Sequence, residues 1–166
     1  MNKVELKLYE NAYKETMLED IAAFWSTHYQ TVTPAQAAGN IEEWTSEGHA
    51  LYAIFSNGLE VGFLHMGSRG DACDWLEEVF VREDFRRQGI GSTAIEAAWA
   101  MLREKGLETM YLEVVPANEG AIRLYHRLGF TNLNTLTLNR SVKEKRQLGT
   151  QNIGGLEFRT YRPNNG

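Results

Sequence analysis

The chain has 166 residues, 43% of them hydrophobic, and a formal net charge of −5. This size and composition are typical of one globular domain, and the negative charge argues against a general nucleic-acid-binding protein. No apolar run approaches the roughly 18 residues of a membrane-spanning helix, and the single cysteine, Cys73, favours a reducing, cytoplasmic compartment. We expect one domain over residues 1–166, with no membrane or nucleic-acid partner, because no linker or repeat interrupts the sequence.

The first half of the chain predicts a strand, two helices and a β-hairpin. In chain order these are a strand at residues 4–9, helices at about 13–29 and 34–44, and strands at 50–55 and 59–66. Thr33 precedes Pro34 as a helix cap would. The Asn57-Gly58 pair between the last two strands is the strongest hairpin signal in the sequence.

The second half of the chain alternates strands and helices. Strands are predicted at residues 74–81, 109–115, 133–139 and 156–161, and helices at residues 90–105 and 118–128. Gly106 and Gly129 follow the two helices as C-terminal caps would. The connection between the last two strands holds Lys143, Lys145 and Arg146 and is expected to be a solvated loop. This order of elements predicts one mixed α/β sheet with helices on both faces.

A glycine-containing loop, Arg86-Arg87-Gln88-Gly89-Ile90-Gly91-Ser92, leads from a predicted strand into a predicted helix. Backbone N–H groups in the first turn of a helix lack internal partners, so this junction favours a bound anion such as phosphate. Glycines let the backbone approach the anion closely, and the arginines can add charge-assisted contacts. The loop does not match a P-loop or a dinucleotide-binding motif. Taken by itself, it could also be a tight turn with solvated arginines.

Three motifs together resemble the GNAT superfamily of N-acetyltransferases. The loop matches that family's Arg/Gln-x-x-Gly-x-Gly/Ala signature, LEEVFVREDF before it is similar to the fourth strand, and NEGAIRLYHRLGF after it is similar to a later helix. The match covers residues 76–130. It implies a mixed, mostly antiparallel twisted sheet of about seven strands that splay apart at the centre. It also implies acetyl-CoA as the acyl donor, and no metal; the four histidines show no metal-ligand spacing.

The resemblance also implies where the cofactor binds. The pyrophosphate would lie on the glycine-containing loop, the pantetheine along the exposed edge of the preceding strand, and a backbone N–H near Val79 would polarise the thioester carbonyl. Asn118 would contact the cofactor, although it could also be a plain helix cap. The implied cofactor-binding residues are Val79, Phe80, Val81, Arg86, Arg87, Gln88, Gly89, Ile90, Gly91, Ser92 and Asn118.

Two residues are candidates for acid–base catalysis of direct amine attack on the thioester. Tyr125 would protonate the departing thiolate, because a phenol with a pKa of about 10 still holds its proton at neutral pH. Glu77 would be the general base, as in the similar strand of diamine and spermidine/spermine acetyltransferases. Tyr125 could instead be a packing residue and Glu77 a solvated or substrate-anchoring glutamate. A regular strand would place the neighbouring Glu78 on the opposite face.

The acceptor amine is less defined by the sequence. Acidic residues in the first two predicted helices favour a small cationic amine of the polyamine or aminoglycoside type. They are Glu15, Glu19, Asp20, Glu42, Glu43 and Glu47. The alternatives are acetylation of a protein N-terminus or lysine, and a non-catalytic acyl-CoA sensor. The resemblance is also compatible with a homodimer formed through the late strands, and the loop does not define the acyl chain.

Overall fold

The computed structural model describes residues 3–70, 72–140 and 147–161. Two compact units make up the fold, one running to Glu113 and the other beginning at Val114. The single-domain organisation stays a prediction. Lys143, Lys145 and Arg146 of the predicted loop lie outside the described residues. Within the described ranges, no helix is long and apolar enough to cross a bilayer.

The first unit contains the strands and helices that the sequence predicts for this part of the chain. They are β1 (Val4–Leu8), α1 (Lys14–Thr27), α2 (Pro34–Trp44), β2 (Ala50–Ser56), β3 (Leu59–Gly67), β4 (Trp75–Val81), α3 (Ile90–Glu104) and β5 (Tyr111–Leu112). Thr33 caps α2 as predicted: its hydroxyl accepts from the N–H of Gln36 at 3.2 Å, and its own N–H donates to the Gln36 side chain at 2.8 Å. Only β5 is much shorter than predicted.

The five strands form one sheet in the order β1-β2-β3-β4-β5, antiparallel except for the parallel pair β4–β5. Asn57 and Gly58 form the β2–β3 hairpin turn with φ values of 52° and 83°, as a two-residue turn of this type requires. The pairing of β4 with β5 covers only Trp75 with Tyr111 and Leu76 with Leu112, whereas β4 continues to Val81. The two parallel strands therefore separate after a short contact, as the resemblance implies.

Helices cover both faces of this sheet. On one face, α1 and α2 pack on β2, β3 and β4 in a core of Met17, Ile21, Phe24, Ala37, Ile41, Trp44, Leu51, Ala53, Phe63 and Phe80. The side chains of Tyr52 and Met66 alternate with members of this core, so they lie on the opposite face. There they line a cavity together with Ala98 and Leu102 of α3, which places α3 on that face.

The second unit contains α4 (Glu119–Arg127) and an antiparallel pair of strands, β6 (Gln147–Ile153) and β7 (Leu156–Tyr161). The predicted strand at residues 133–139 is wrong, because residues 131–140 form no regular element. Its leucines, Leu133, Leu136 and Leu138, are exposed. β6 instead lies in a segment that we predicted as loop. The described residues thus contain seven strands, the number that the resemblance implies, in sheets of five and two.

Candidate active site

The glycine-containing loop forms the N-terminal end of α3. Gly89 precedes the helix, and its carbonyl accepts the first helical hydrogen bond from the N–H of Thr93 at 2.9 Å. The N–H groups of Ile90, Gly91 and Ser92 come before that bond, so they have no partner within the helix. They present donors at the positive end of the helix dipole, a geometry that binds phosphate groups.

The two glycines of the loop have different structural roles. Gly89 has a φ of 80°, which residues with a Cβ avoid, although a Cβ there would meet no atom within 4 Å. Gly91 is not among the residues with positive φ, and a Cβ on it would lie 3.7 Å from Cγ2 of Val81, an ordinary contact. The fold therefore does not require a glycine at position 91.

The side chains of the loop are tied mainly to its own backbone. Nε of Arg86 donates to the carbonyl of Val81 at 2.7 Å, and the guanidinium lies 5.4 Å from the ring centre of Phe80. This contact leaves Arg86 with two further guanidinium nitrogens that can reach an anion. The amide of Gln88 donates to the carbonyl of Asp84 at 3.1 Å. Arg87 is exposed and has a φ of 59°, so two residues of this loop are left-handed.

The groups of β4 that a cofactor could contact are mainly those of the main chain. Phe80 is 5% exposed and packs against Phe24 and Phe63, so it can contribute only main-chain groups to a cofactor site. Val79 and Val81 are half-buried. Among the described residues, no parallel strand pairs with β4 beyond Leu76. This edge can therefore hydrogen-bond to an extended ligand.

The prediction that Glu77 and Glu78 lie on opposite faces of β4 is wrong. His65 pairs with Glu78 and Met66 with Leu76, so Glu77 is the extra residue of a β-bulge. Gly67 shares a face of β3 with His65, and a Cβ on Gly67 would lie 2.8 Å from Cγ and Oε1 of Glu77. Both glutamate side chains therefore lie on the face of the sheet that α1 and α2 cover.

Glu77 belongs to a charged cluster beside two stacked aromatic rings. Its carboxylate is 3.3 Å from Nη2 of Arg69, whose Nη1 is 2.6 Å from Oε1 of Glu113. The guanidinium of Arg69 lies 3.9 Å from the ring centre of Trp75, which stacks on Tyr111 with ring centres 5.0 Å apart. Sequence reasoning missed Arg69 and Glu113 because neither belongs to a recognisable motif, and only the fold brings them together.

Glu78 has a different partner, the buried His65. Nδ1 of His65 is 2.5 Å from Oε2 of Glu78, and Nε2 of the same ring is 2.9 Å from Nδ1 of His49. Sequence reasoning missed this hydrogen-bonded series, because the four histidines show no metal-ligand spacing. The available signal was a polar residue in an apolar strand, His65 within GFLHMG.

Asn118 and Tyr125 belong to the second unit. The side chain of Asn118 accepts from the N–H of Ala121 at 3.2 Å, so Asn118 is the cap of α4. Tyr125 is half-buried and meets Phe130 edge-on, with ring centres 5.8 Å apart. Burial raises the pKa of Tyr125, so its phenol keeps its proton at neutral pH. No group of three or more potential metal ligands occurs among the described residues of either unit.

Comparison with known proteins defines the class to which this fold and loop belong. Residues 14–130 match the acetyltransferase (GNAT) family, which is more than two thirds of the chain. The chain therefore belongs to the GNAT acetyltransferase family, as its motifs predict. A structural neighbour, the aminoglycoside N-acetyltransferase AAC(6')-Iy crystallised with CoA, covers 86% of this chain and 97% of its own, with a TM-score of 0.67 and 19% identity. That likeness confirms the predicted GNAT-like fold.

Two acetyltransferases are similar to part of this chain in sequence. An uncharacterised N-acetyltransferase of Methanocaldococcus jannaschii is 35% identical over 85 residues, covering 45% of this chain and 35% of its own. The [ribosomal protein bS18]-alanine N-acetyltransferase of Escherichia coli K12 is 38% identical over 66 residues, covering 40% of this chain and 43% of its own. The chain thus spans less than half the length of either relative.

Proposed function

We propose that this protein is an N-acetyltransferase that moves an acetyl group from acetyl-CoA to a primary amine. The observation that carries the proposal is the junction of β4 with α3. A row of helix N-terminal donors there adjoins a strand edge that β5 leaves unpaired beyond Leu76. A phosphate chain and an extended pantetheine need these two features side by side.

The cofactor would bind through residues of the loop and of β4. The N–H groups of Ile90, Gly91 and Ser92 and the guanidinium groups of Arg86 and Arg87 would hold the pyrophosphate, with Gly89 shaping the turn. Gln88 would act through its backbone, since its side chain bonds within the loop. On β4, the main-chain groups of Val79, Phe80 and Val81 would pair with the pantetheine. Asn118 would be a further cofactor contact, as the resemblance implies.

The reaction would proceed by direct attack of the amine on the thioester. The amine nitrogen loses a proton and bonds to the carbonyl carbon, the N–H of Val79 stabilises the oxyanion, and the C–S bond then breaks. Tyr125 gives its proton to the departing sulfur, and the phenolate recovers a proton through solvent from the positively charged nitrogen of the intermediate. The raised pKa of Tyr125 keeps the phenol protonated before the step, and the proton returned by the nitrogen completes the otherwise uphill transfer from phenol to thiolate.

A base must accept a proton from the ammonium before the amine can attack, and the candidate bases lie on β4. The resemblance implies Glu77, which lies at the bulge on the face that α1 and α2 cover. Because the bulge brings Glu78 to the same face, Glu78 is a second candidate. The two carboxylates differ in their partners, Arg69 for Glu77 and His65 for Glu78.

A small cationic amine of the polyamine or aminoglycoside type remains the first candidate for the acceptor. Glu15, Glu19, Glu42, Glu43 and Glu47 are exposed and can attract a cation. Asp20 is not available for this purpose, because it is 2% exposed and pairs with Arg82 at 2.6 Å. Glu77, Glu113 and the ring of Trp75 offer a second environment suited to a cation.

A protein N-terminus is the second candidate, favoured by the similarity to a [ribosomal protein bS18]-alanine N-acetyltransferase. One panel of acceptors distinguishes the two. Thiol release from acetyl-CoA is measured with spermidine, neamine and an Ala-initiated peptide, each at saturating concentration. We expect turnover with at least one of them. Calorimetry with CoA is the companion measurement: no binding would contradict the cofactor site, and binding without turnover would favour an acyl-CoA sensor.

A further inference from the structure

Three ionisable side chains form a continuous hydrogen-bonded chain under α2. It begins at Oε2 of Glu78 on β4, passes through both ring nitrogens of His65 on β3, and ends at Nδ1 of His49 before β2. The two contacts measure 2.5 Å and 2.9 Å. Glu78 lies in the fourth-strand motif of the family pattern, whereas His65 and His49 belong to no motif.

His65 is held rigidly at the centre of the chain. It is 2% exposed, and its ring stacks on Trp44 with centres 4.8 Å apart and planes 16° apart. The ring of His49 lies nearly parallel to that of His65, with centres 5.1 Å apart and planes 17° apart, as the hydrogen bond between their nitrogens requires. A histidine with an aromatic ring against one face and a partner on each nitrogen is restricted in its rotamer, so it fixes the position of the group that it bonds.

The chemistry of the groups sets the direction of these bonds. An ionised carboxylate only accepts hydrogen bonds, so Nδ1 of His65 carries a proton and donates to Glu78. In the neutral ring Nε2 is then an acceptor, and Nδ1 of His49 donates to it. The hydrogen bond from His65 thus engages Oε2 of Glu78 and orients the carboxylate. Oε1 of Glu78 keeps its lone pairs and can accept a proton from the amine.

Glu77 lacks this arrangement. Its carboxylate is paired with the guanidinium of Arg69, which is permanently charged. The side chain of Glu77 also packs over the backbone of Gly67. Protonation of Glu77 would leave Glu113 as the charged carboxylate that pairs with that guanidinium. His65 can be neutral, so a proton on Glu78 breaks no pair with a permanent cation.

We propose that Glu78 is the carboxylate that accepts the proton of the acceptor amine, and that His65 and His49 are the positioning residues that hold it. The inference rests on the proposed acetyl transfer. In the step, a proton moves from the ammonium nitrogen to the free oxygen of Glu78, and the freed lone pair attacks the thioester carbon. Glu78 returns the proton to water when the product leaves, which balances the one proton released in each turnover.

The groups that face this chain are few within the described residues. Glu78 and His49 are the titratable groups that bond to His65, and Trp44 covers it from α2. His49 also lines a cavity of about 160 Å³ with Tyr52, Cys73 and Lys105. Burial raises the pKa of both Tyr52 and Cys73, so both stay protonated at neutral pH.

Steady-state kinetics with the fastest amine of the panel tests the proposal. We expect Glu78→Gln to lower kcat by about 10²-fold or more, as loss of a general base does, and Glu77→Gln to lower it by less than about tenfold. His65→Leu should lower kcat by about 10- to 100-fold through loss of orientation, with the KM for acetyl-CoA unchanged. His65→Asn places an amide donor near the position of Nδ1, so it should recover much of that loss.

Nuclear magnetic resonance of the histidine rings gives a readout that does not depend on activity. In Glu78→Gln the Nδ1–H resonance of His65 should move upfield, because a short hydrogen bond to a carboxylate is replaced by a weaker one to an amide. Thermal unfolding and CoA binding check that each variant is folded. If His65→Leu does not fold, His49→Gln, at a half-buried site, replaces it with a smaller expected loss of kcat.

The outcomes separate this inference from the function on which it rests. No turnover by the wild-type protein with any amine contradicts the proposed function and this inference together. Turnover that Glu77→Gln abolishes and Glu78→Gln leaves intact overturns this inference alone. Equal losses for His65→Leu and His65→Asn, with the Nδ1–H resonance of His65 at the same position in wild type and Glu78→Gln, assign the histidines to packing and also overturn it.

Discussion

Tyr125 is the residue whose chemistry is simplest to test. Its phenol is half-buried and its pKa is raised by burial, so it is protonated throughout the neutral range. Tyr125→Phe keeps the ring and its contact with Phe130 but removes the proton donor. We expect kcat to fall by about 10²-fold while the KM for acetyl-CoA stays within about twofold.

The control for Tyr125 is its exposed neighbour, His126→Gln, which should leave both constants unchanged. A parallel loss of kcat and cofactor affinity in Tyr125→Phe would contradict the acid assignment and favour a packing role.

The charge of Glu60 on β3 lowers the stability of the folded protein. Its Oε1 is buried without a hydrogen-bond partner, and burial raises its pKa, helped by the nearby Asp20. In Glu60→Gln an uncharged carbonyl replaces this oxygen. We expect the free energy of unfolding at pH 7 to rise by a few tenths to about 1 kcal/mol, limited because solvent reaches the rest of the side chain.

The sign of this effect should depend on pH. A carboxyl whose folded pKa is raised costs stability as pH rises from its ordinary value of 4.5 through the raised value. The gain from Glu60→Gln should therefore be full above that window and vanish below pH 4.5. Urea unfolding at several pH values measures it, with the exposed Glu43→Gln as control. A gain that is independent of pH would point to packing.

At the scale of single residues, the sequence predicted a local helix cap correctly and the faces of neighbouring strand residues wrongly. Asn118 is a helix cap, as one of its two interpretations held. Glu77 and Glu78 were expected on opposite faces because a regular strand alternates, and the bulge opposite His65 and Met66 reverses that result. A bulge leaves no simple signature in one sequence, because it is decided by pairing with another strand.

The turn into α3 gives a prediction at the scale of elements. Gly89→Ala forces a Cβ into a left-handed conformation at the start of the helix. We expect a loss of about 1 kcal/mol in stability and a clear loss of CoA affinity, because the helix N–H groups would turn away from the phosphates. Gly106→Ala is a matched control, with a φ of 81° and no atom within 4 Å of the added Cβ, near the other end of α3.

Calorimetric titration with CoA and urea unfolding measure the two quantities for each variant. Equal CoA affinity in Gly89→Ala and Gly106→Ala would show that the loop does not bind the phosphates.

Elements with strong local signals were predicted well, and those that depend on distant partners were not. The capping box at Thr33 and the Asn57-Gly58 turn each fix their own geometry within a few residues. The Leu-Thr alternation at residues 133–139 has the residues of a strand but pairs with none among those described. β6 is polar, and pairing with β7 makes it a strand without an apolar pattern.

For the whole molecule, the expected single domain can be tested by unfolding. One domain should unfold in one cooperative transition, with equal calorimetric and van't Hoff enthalpies. CoA at 100 times its dissociation constant should stabilise the folded state by about 2.7 kcal/mol and raise the midpoint by roughly 5–10 °C. Scanning calorimetry with and without CoA measures both. Two transitions, with only one moved by CoA, would contradict the single-domain prediction and assign CoA binding to one unit.

The stack of Trp44 on His65 has a practical consequence. When the imidazole gains a second proton, a cation sits against the indole face, and the fluorescence of that tryptophan is quenched. An ordinary fluorimeter would then follow the charge of a ring that solvent barely touches. Trp44→Phe would remove this optical signal and leave the emission of the three other tryptophans as background.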